Sequence, residues 1–129
     1  MSNILYIAAG GALGAILRYT VTGAVFKLIP GPFPWGTLVV NISGCLIIGA
    51  VWQLFESFHI SPNLRLFLMV GALGAYTTFS TFGLETLNLI REGETGHALF
   101  YILASNIIGV AAVYVGLLAA RGISGLLQQ

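Results

Sequence analysis

Residues 66–90 read LFLMVGALGAYTTFSTFGLETLNLI, a run of 25 positions in which Glu85 is the lone charged side chain. A helix crossing a bilayer needs about 20 mostly apolar residues, so this run is long enough to span one. Three more runs match it: Ile4 to Phe26, Trp35 to Phe55 and Ala98 to Ala120. The 129-residue chain is 57% hydrophobic and 7% charged, with mean hydropathy +0.96. Soluble domains carry about 25% charged residues. The residues outside the four runs suffice only for ends and short loops, which excludes a soluble catalytic domain or a nucleotide-binding module. The sequence therefore predicts one all-α, four-helix transmembrane domain over residues 1–129, with spans at 4–26, 35–55, 66–90 and 98–120.

The loops are marked by their composition. Residues 27–34 (KLIPGPFP) hold three prolines and a glycine, which no helix runs through. Residues 56–65 (ESFHISPNLR) and 91–97 (REGETGH) form the other two. Trp35 and Trp52 lie 17 residues apart, about 25 Å along a helix, a spacing that suits two interfacial anchors. Met1 to Leu5 hold no Lys or Arg and Arg18 interrupts the first apolar run, so a cleaved leader is not expected.

Lys and Arg in the loops set the orientation of most membrane proteins, but here they balance. Arg65 and Arg121 fall on one side, Lys27 and Arg91 on the other. A chain that inserts both ways can pair with its own inverted copy, although a weak bias would leave the same count. With net charge +1 and no basic run, nucleic-acid binding has no footprint. The single Cys45 forms no intrachain disulfide. Gly10 and Gly14, like Ala8 and Ala12, are small-xxx-small pairs that favour close helix packing. Four helices packed this closely enclose no lumen, so an aqueous route belongs at a subunit interface.

Polar residues at membrane depth are costly and therefore informative. In the third span, residues 71–83 (GALGAYTTFSTFG) set glycines beside four hydroxyl residues. Glycine and β-branched threonine are weaker helix formers than leucine. A break near Gly74 to Thr78 would free backbone carbonyls, which are tolerated there only inside protein or beside water and commonly ligate a monovalent cation. An unbroken helix whose hydroxyls bond back to the preceding turn is the other reading. Phe79 and Phe82, three apart, share a face beside Ser80 and Thr81, and ring edges carry partial positive charge. Thr37 and Asn41 lie four apart in span two, and Tyr101 and Ser105 lie four apart in span four. All four donate hydrogen bonds while neutral, whether to one another or to a pore.

Arg18 and Glu85 are the only charges well inside the runs. Arg18 lies about 12 Å below the Phe26 end, a depth that suits a vestibule attracting anions. Glu85 is the one embedded carboxylate available to a proton-coupled exporter of organic cations, since the chain has no Asp. No nucleophile, base and orienting group share a meaningful spacing, so no enzyme chemistry is expected. No Cys/His pattern suggests zinc, and His59 and His97 read as loop residues. Residues 10–14 (GGALG) superficially resemble a phosphate loop but lie inside an apolar run with no preceding strand.

Residues 10–19 (GGALGAILRY), 35–44 (WGTLVVNISG) and 71–82 (GALGAYTTFSTF) resemble three motifs, in order, of the Fluc fluoride channels, also called the CrcB family. The resemblance implies a passive fluoride channel in the cell inner membrane. Its fold would be an antiparallel, dual-topology homodimer with two pores and a third helix broken near mid-membrane. It places Asn41 in the pore, the edges of Phe79 and Phe82 against fluoride, and Ser80 and Thr81 near the mouth. Tyr101 and Ser105 would lie on the polar track of span four, Thr37 and Glu85 in the fluoride pathway and Arg18 at the vestibule. Backbone carbonyls of Gly74 and Thr77 would hold a structural sodium ion. Two positions depart from the pattern: Gly109 replaces a frequent hydroxyl beyond Ser105, and Ala75 replaces a frequent glycine. Besides the proton-coupled exporter, a non-transporting protein whose polar residues are helix glue is the remaining alternative.

Overall fold

The structure, a computed structural model, describes residues 2–127. Those residues are all helical or loop, with no strand among them, and four helical spans are long and apolar enough to cross a membrane. Helix α1 is Ser2–Leu28 and α2 is Trp35–Ser57. Helix α3 (62–76) begins with a turn over Pro62–Arg65, widens into a π-helical stretch over Leu66–Leu73 and closes with Gly74–Tyr76. Helix α4 is Phe79–Arg91, and α5 (95–127) carries a second π stretch at Ala104–Ile108. The third candidate span thus contains α3 and α4.

Local chemistry sets the ends. The proline-rich segment 29–34 separates α1 from α2. Ser61 caps α3, its hydroxyl accepting the Leu64 N–H at 3.3 Å, with Pro62 in the first turn where no N–H is needed. Helix α3 therefore starts four residues before the apolar run, and α5 continues past Ala120, because polar end turns extend a helix beyond its membrane-embedded part.

Glycine brings the helices together in two backbone-to-backbone crossings. Helix α1 lies mainly on the π stretch of α3, and α2 on the 109–127 part of α5. At the first, a methyl group on Gly10 would strike the Phe67 carbonyl, and one on Gly14 the Ala72 carbonyl. At the second, Gly49 faces the Val113 carbonyl and Gly116 the Leu46 carbonyl in the same way. Gly10 and Gly14 are thus packing residues, as small-xxx-small pairs predict. Ala8 and Ala12 are not: both lie on the exposed side of α1, one residue pair around the helix from the contact.

The buried core is small and eccentric. Leu38, Phe82, Leu89, Ala98, Tyr101 and Ala104 form it, with Phe33, Trp35, Ile42 and Ile102 packed against it. Trp35 is therefore partly a core residue, while Trp52 is exposed and lies under the Arg65 guanidinium, 5.9 Å from its ring centre. Large apolar side chains such as Ile4, Phe26 and Val110 point outward on every side. A helix bundle apolar inside and outside is built for lipid.

The crossings give a direct test. Gly49→Val and Gly14→Val are each expected to lower the stability of the purified protein by about 1–3 kcal/mol, read as a lower denaturation midpoint, because backbone cannot yield as a side chain can. Gly122→Val, where nothing lies within 4 Å of the added carbon, should leave the midpoint nearly unchanged. Equal effects at all three positions would contradict the crossings.

Candidate functional site

Between α3 and α4 the backbone is extended: Thr77 has φ −80° and ψ 159°, Thr78 φ −151° and ψ 115°. β-Branched threonine accepts this conformation readily. The exposed peptide groups, however, need partners away from water. Asn41 of α2 supplies them. The Thr78 N–H donates to Asn41 Oδ1 at 2.8 Å, and Asn41 Nδ2 donates to the Thr78 carbonyl at 3.1 Å. One side-chain amide thus replaces the two bonds a neighbouring strand would offer.

Thr78 also starts α4. Its hydroxyl accepts the Thr81 N–H at 3.3 Å and donates to Thr81 Oγ1 at 2.9 Å, with Ser80 Oγ 3.4 Å away. Thr77 stays with α3, donating both N–H and hydroxyl to the Leu73 carbonyl at 3.1 Å. In a continuous helix, the Thr78 and Thr81 N–H groups would serve the carbonyls of Gly74 and Thr77. Here they go to Asn41 and to the Thr78 hydroxyl. The carbonyls of Gly74 and Thr77 have lost their helical donors.

A cavity of about 310 Å³ opens beside this segment, lined by Asn41, Gly74, Thr77, Thr78, Phe79, Phe82 and Ser105 among others. Among the described residues none that lines it is charged. Among the described residues, Ser105 Oγ is buried with no hydrogen-bond partner. The two phenylalanines differ sharply: Phe79 is 82% exposed and Phe82 9%, with ring centres 5.5 Å apart at 41°. They share one helix, but only Phe82 reaches the core, where its ring lies 5.0 Å from that of Tyr101.

Glu85 organises the other half of the site. Thr37 Oγ1 donates to its Oε1 at 2.9 Å and the Tyr101 hydroxyl donates to its Oε2 at 2.8 Å. Thr37 is buried and Tyr101 is 0% exposed, so both donors are fixed by packing. Two cavities meet at this carboxylate. One, of about 290 Å³, lies beneath segment 29–34 and is lined by Phe33, Thr37, Asn88 and Glu92. The other, of about 560 Å³, is lined by Arg18, Thr37, Thr78 and Thr81. Arg18 shares this cavity with Glu85, yet among the described residues no ion pair joins them.

The sequence-derived residues therefore divide into two groups. Asn41, Gly74, Thr77, Phe79, Phe82 and Ser105 gather at the uncharged cavity. Arg18, Thr37, Thr81 and Glu85 gather at the charged one. Tyr101 lies between, touching Phe82 and holding Glu85. Ser80 is exposed beside Thr78. Thr78 lines both cavities, a role that its sequence signal, a threonine suited to cap the helix that follows, does not reveal. Also unforeseen is Ser43, whose hydroxyl lies 2.9 Å from that of Tyr76 on the last turn of α3.

Four apolar spans around an interior of neutral donors and one held carboxylate define a multi-pass membrane protein. The family described as "CrcB-like protein, Camphor Resistance (CrcB)" matches residues 5–117. A relative named "Fluoride-specific ion channel FluC" from Shewanella amazonensis is 46% identical over 116 residues, 90% of this chain and 94% of its own. Proteins of the same name from Magnetococcus marinus and Agrobacterium fabrum are 45% and 44% identical, covering 92% and 95% of this chain and 98% and 99% of their own. The chain belongs to the CrcB-like family.

The Asn41 clasp makes a prediction of its own. Asn41→Leu removes two hydrogen bonds and orphans both Thr78 peptide groups, a cost of about 2–5 kcal/mol. The Thr78 amide should then exchange with solvent deuterium much faster than in the parent protein, while Leu46 in the middle of α2 stays protected. Unchanged protection at Thr78 would show that the clasp does not hold the segment.

Proposed function

We propose that the chain is a fluoride channel that releases the ion passively across the cell inner membrane. The observation that carries this reading is the uncharged cavity at the extended segment. Its lining supplies neutral donors in Asn41 and Ser105 and ring edges in Phe79 and Phe82. A small, strongly hydrated anion must exchange its water for contacts weak enough to leave again. An amide, a hydroxyl and aromatic edges meet that need, whereas a lysine or arginine in the lining would trap the ion. The names of the relatives point the same way.

In this reading fluoride enters from the Arg18 side, attracted by the guanidinium, and passes Thr81 towards the junction at Thr78 and Phe82. Glu85 stands beside this route with both oxygens accepting from the Thr37 and Tyr101 hydroxyls, which hold the carboxylate in a fixed place along it. Ser105, with no partner of its own, continues the track at the uncharged cavity. Ser80 lies near the mouth. The alternative of a proton-coupled exporter working through Glu85 draws no support from the relatives, which carry channel names.

The same reading places the Thr77–Thr78 interruption near mid-membrane and completes the site with a second, inverted copy of the chain. The exposure of Phe79 supports a partner over this face, and the balanced loop charges support dual topology. A structural sodium ion fits the carbonyls of Gly74 and Thr77, which lack their helical donors. Neutral oxygens suit a monovalent cation at membrane depth, and the ion would take the place of the donors these carbonyls lack.

Phe79→Ile replaces a ring edge with an aliphatic surface that repels an anion. In liposomes it should slow fluoride efflux about tenfold or more, with the protein still folded. Efflux at the parent rate would remove Phe79 from the route. Exchanging sodium for N-methyl-D-glucamine should lower the melting midpoint of the purified protein; an unmoved midpoint would count against the ion.

A further inference from the structure

We infer that Phe33, in the segment between α1 and α2, is the positioning residue for the Tyr101–Glu85 hydrogen bond. The inference rests on the channel reading for its functional consequence, and on ring geometry for the rest.

Phe33 sits between Pro32 and Pro34. Proline fixes its own φ and also restricts the residue before it, so the segment holds few conformations. The Phe33 carbonyl accepts the Trp35 N–H at 2.9 Å, which ties the segment to the start of α2. The ring then enters an aromatic cage. Its centre lies 4.6 Å from that of Trp35, 5.7 Å from Phe100 and 5.9 Å from His97. A stiff loop so anchored loses little entropy in holding its ring in place.

The fourth contact matters most. Phe33 meets the Tyr101 ring edge-on, 5.5 Å between centres at 75°. Phe82 meets the same ring from elsewhere at 5.0 Å and 58°. Tyr101 is thus held by two rings, one from the candidate pathway and one from the loop. A tyrosine hydroxyl is carried rigidly by its ring, so fixing the ring fixes the donor that reaches Glu85 Oε2. Phe33 also lines the 290 Å³ cavity that reaches Glu85. Among the described rings, Tyr101 is the proposed pathway residue whose ring Phe33 meets, so its influence on the Glu85 hydrogen bond runs through that ring.

The test measures fluoride efflux for the parent protein, Phe33→Leu, Tyr101→Phe and the double variant in liposomes. Phe33→Leu should slow efflux about fivefold, the rate equivalent of one aromatic edge contact. Phe33→Trp, which restores a ring, should recover most of the rate. In the Tyr101→Phe background Phe33→Leu should have no further effect, since the donor it positions is gone. Equal slowing in both backgrounds, or no slowing in either, would overturn the inference, as would failure of the ring to rescue. Infrared difference spectra against Glu85→Gln isolate the Glu85 carboxylate band without reference to transport. Phe33→Leu and Phe33→Trp should respectively reproduce and restore the effect of Tyr101→Phe on that band. An unshifted band in Phe33→Leu would overturn the inference even if efflux falls. A parent protein that releases no fluoride would instead sink the channel reading and leave the infrared comparison to decide on Phe33.

Discussion

A single side-chain amide holds the centre of this protein together. Asn41 gives one oxygen and one nitrogen to the two peptide groups of Thr78, and with that pair satisfied the third span can stop being a helix without leaving bare backbone in an apolar setting. The rest follows in sequence. Thr78, once extended, turns its hydroxyl to cap α4 and so directs Phe79 and Phe82 from the first turn of a new helix. The carbonyls of Gly74 and Thr77 lose their donors and become available. The cavity beside them takes part of its neutral lining from the same segment.

The clasp works only because the helices approach closely enough for a short side chain to bridge them. At the clasp Gly44 of α2 provides this, since a β-carbon there would strike the Thr77 side chain, and glycines do the same at the other crossings. At the α1–α3 and α2–α5 crossings, carbonyl oxygens occupy the space that any β-carbon would need. With the backbones this near, volume normally filled by apolar side chains is filled by main chain. The polar groups of the interior then reach one another directly: Thr37 and Tyr101 to Glu85, Ser43 to Tyr76. The core is correspondingly small, and its largest members, Phe82 and Tyr101, belong to the site itself. Packing and the candidate site use the same residues, so substitutions at the rings are expected to affect stability as well as the site.

Much of this was legible in the sequence, and the remainder fails for identifiable reasons. The four apolar spans depend on length and composition, which are local properties. The pair Gly10 and Gly14 marked a real crossing, but the equally spaced Ala8 and Ala12 faces outward, because spacing fixes that two residues share a face and not which face is buried. Thr37 and Asn41, four apart, illustrate a second limit. They share a face of α2, yet Asn41 serves the Thr78 backbone and Thr37 serves Glu85. Composition around Gly74 to Thr78 left a broken and an unbroken helix open, since the deciding partner lies 37 residues away in the chain. Phe33 was invisible for the opposite reason: in a segment read as loop, nothing marked its ring as part of the interior.

The most direct test of the account is ion release from liposomes containing the purified protein, followed by fluoride and chloride electrodes in parallel with no proton gradient. The account predicts rapid loss of fluoride with chloride retained, as a neutral lining selective for a small anion requires. Retention of fluoride, or release of both ions together, would contradict it.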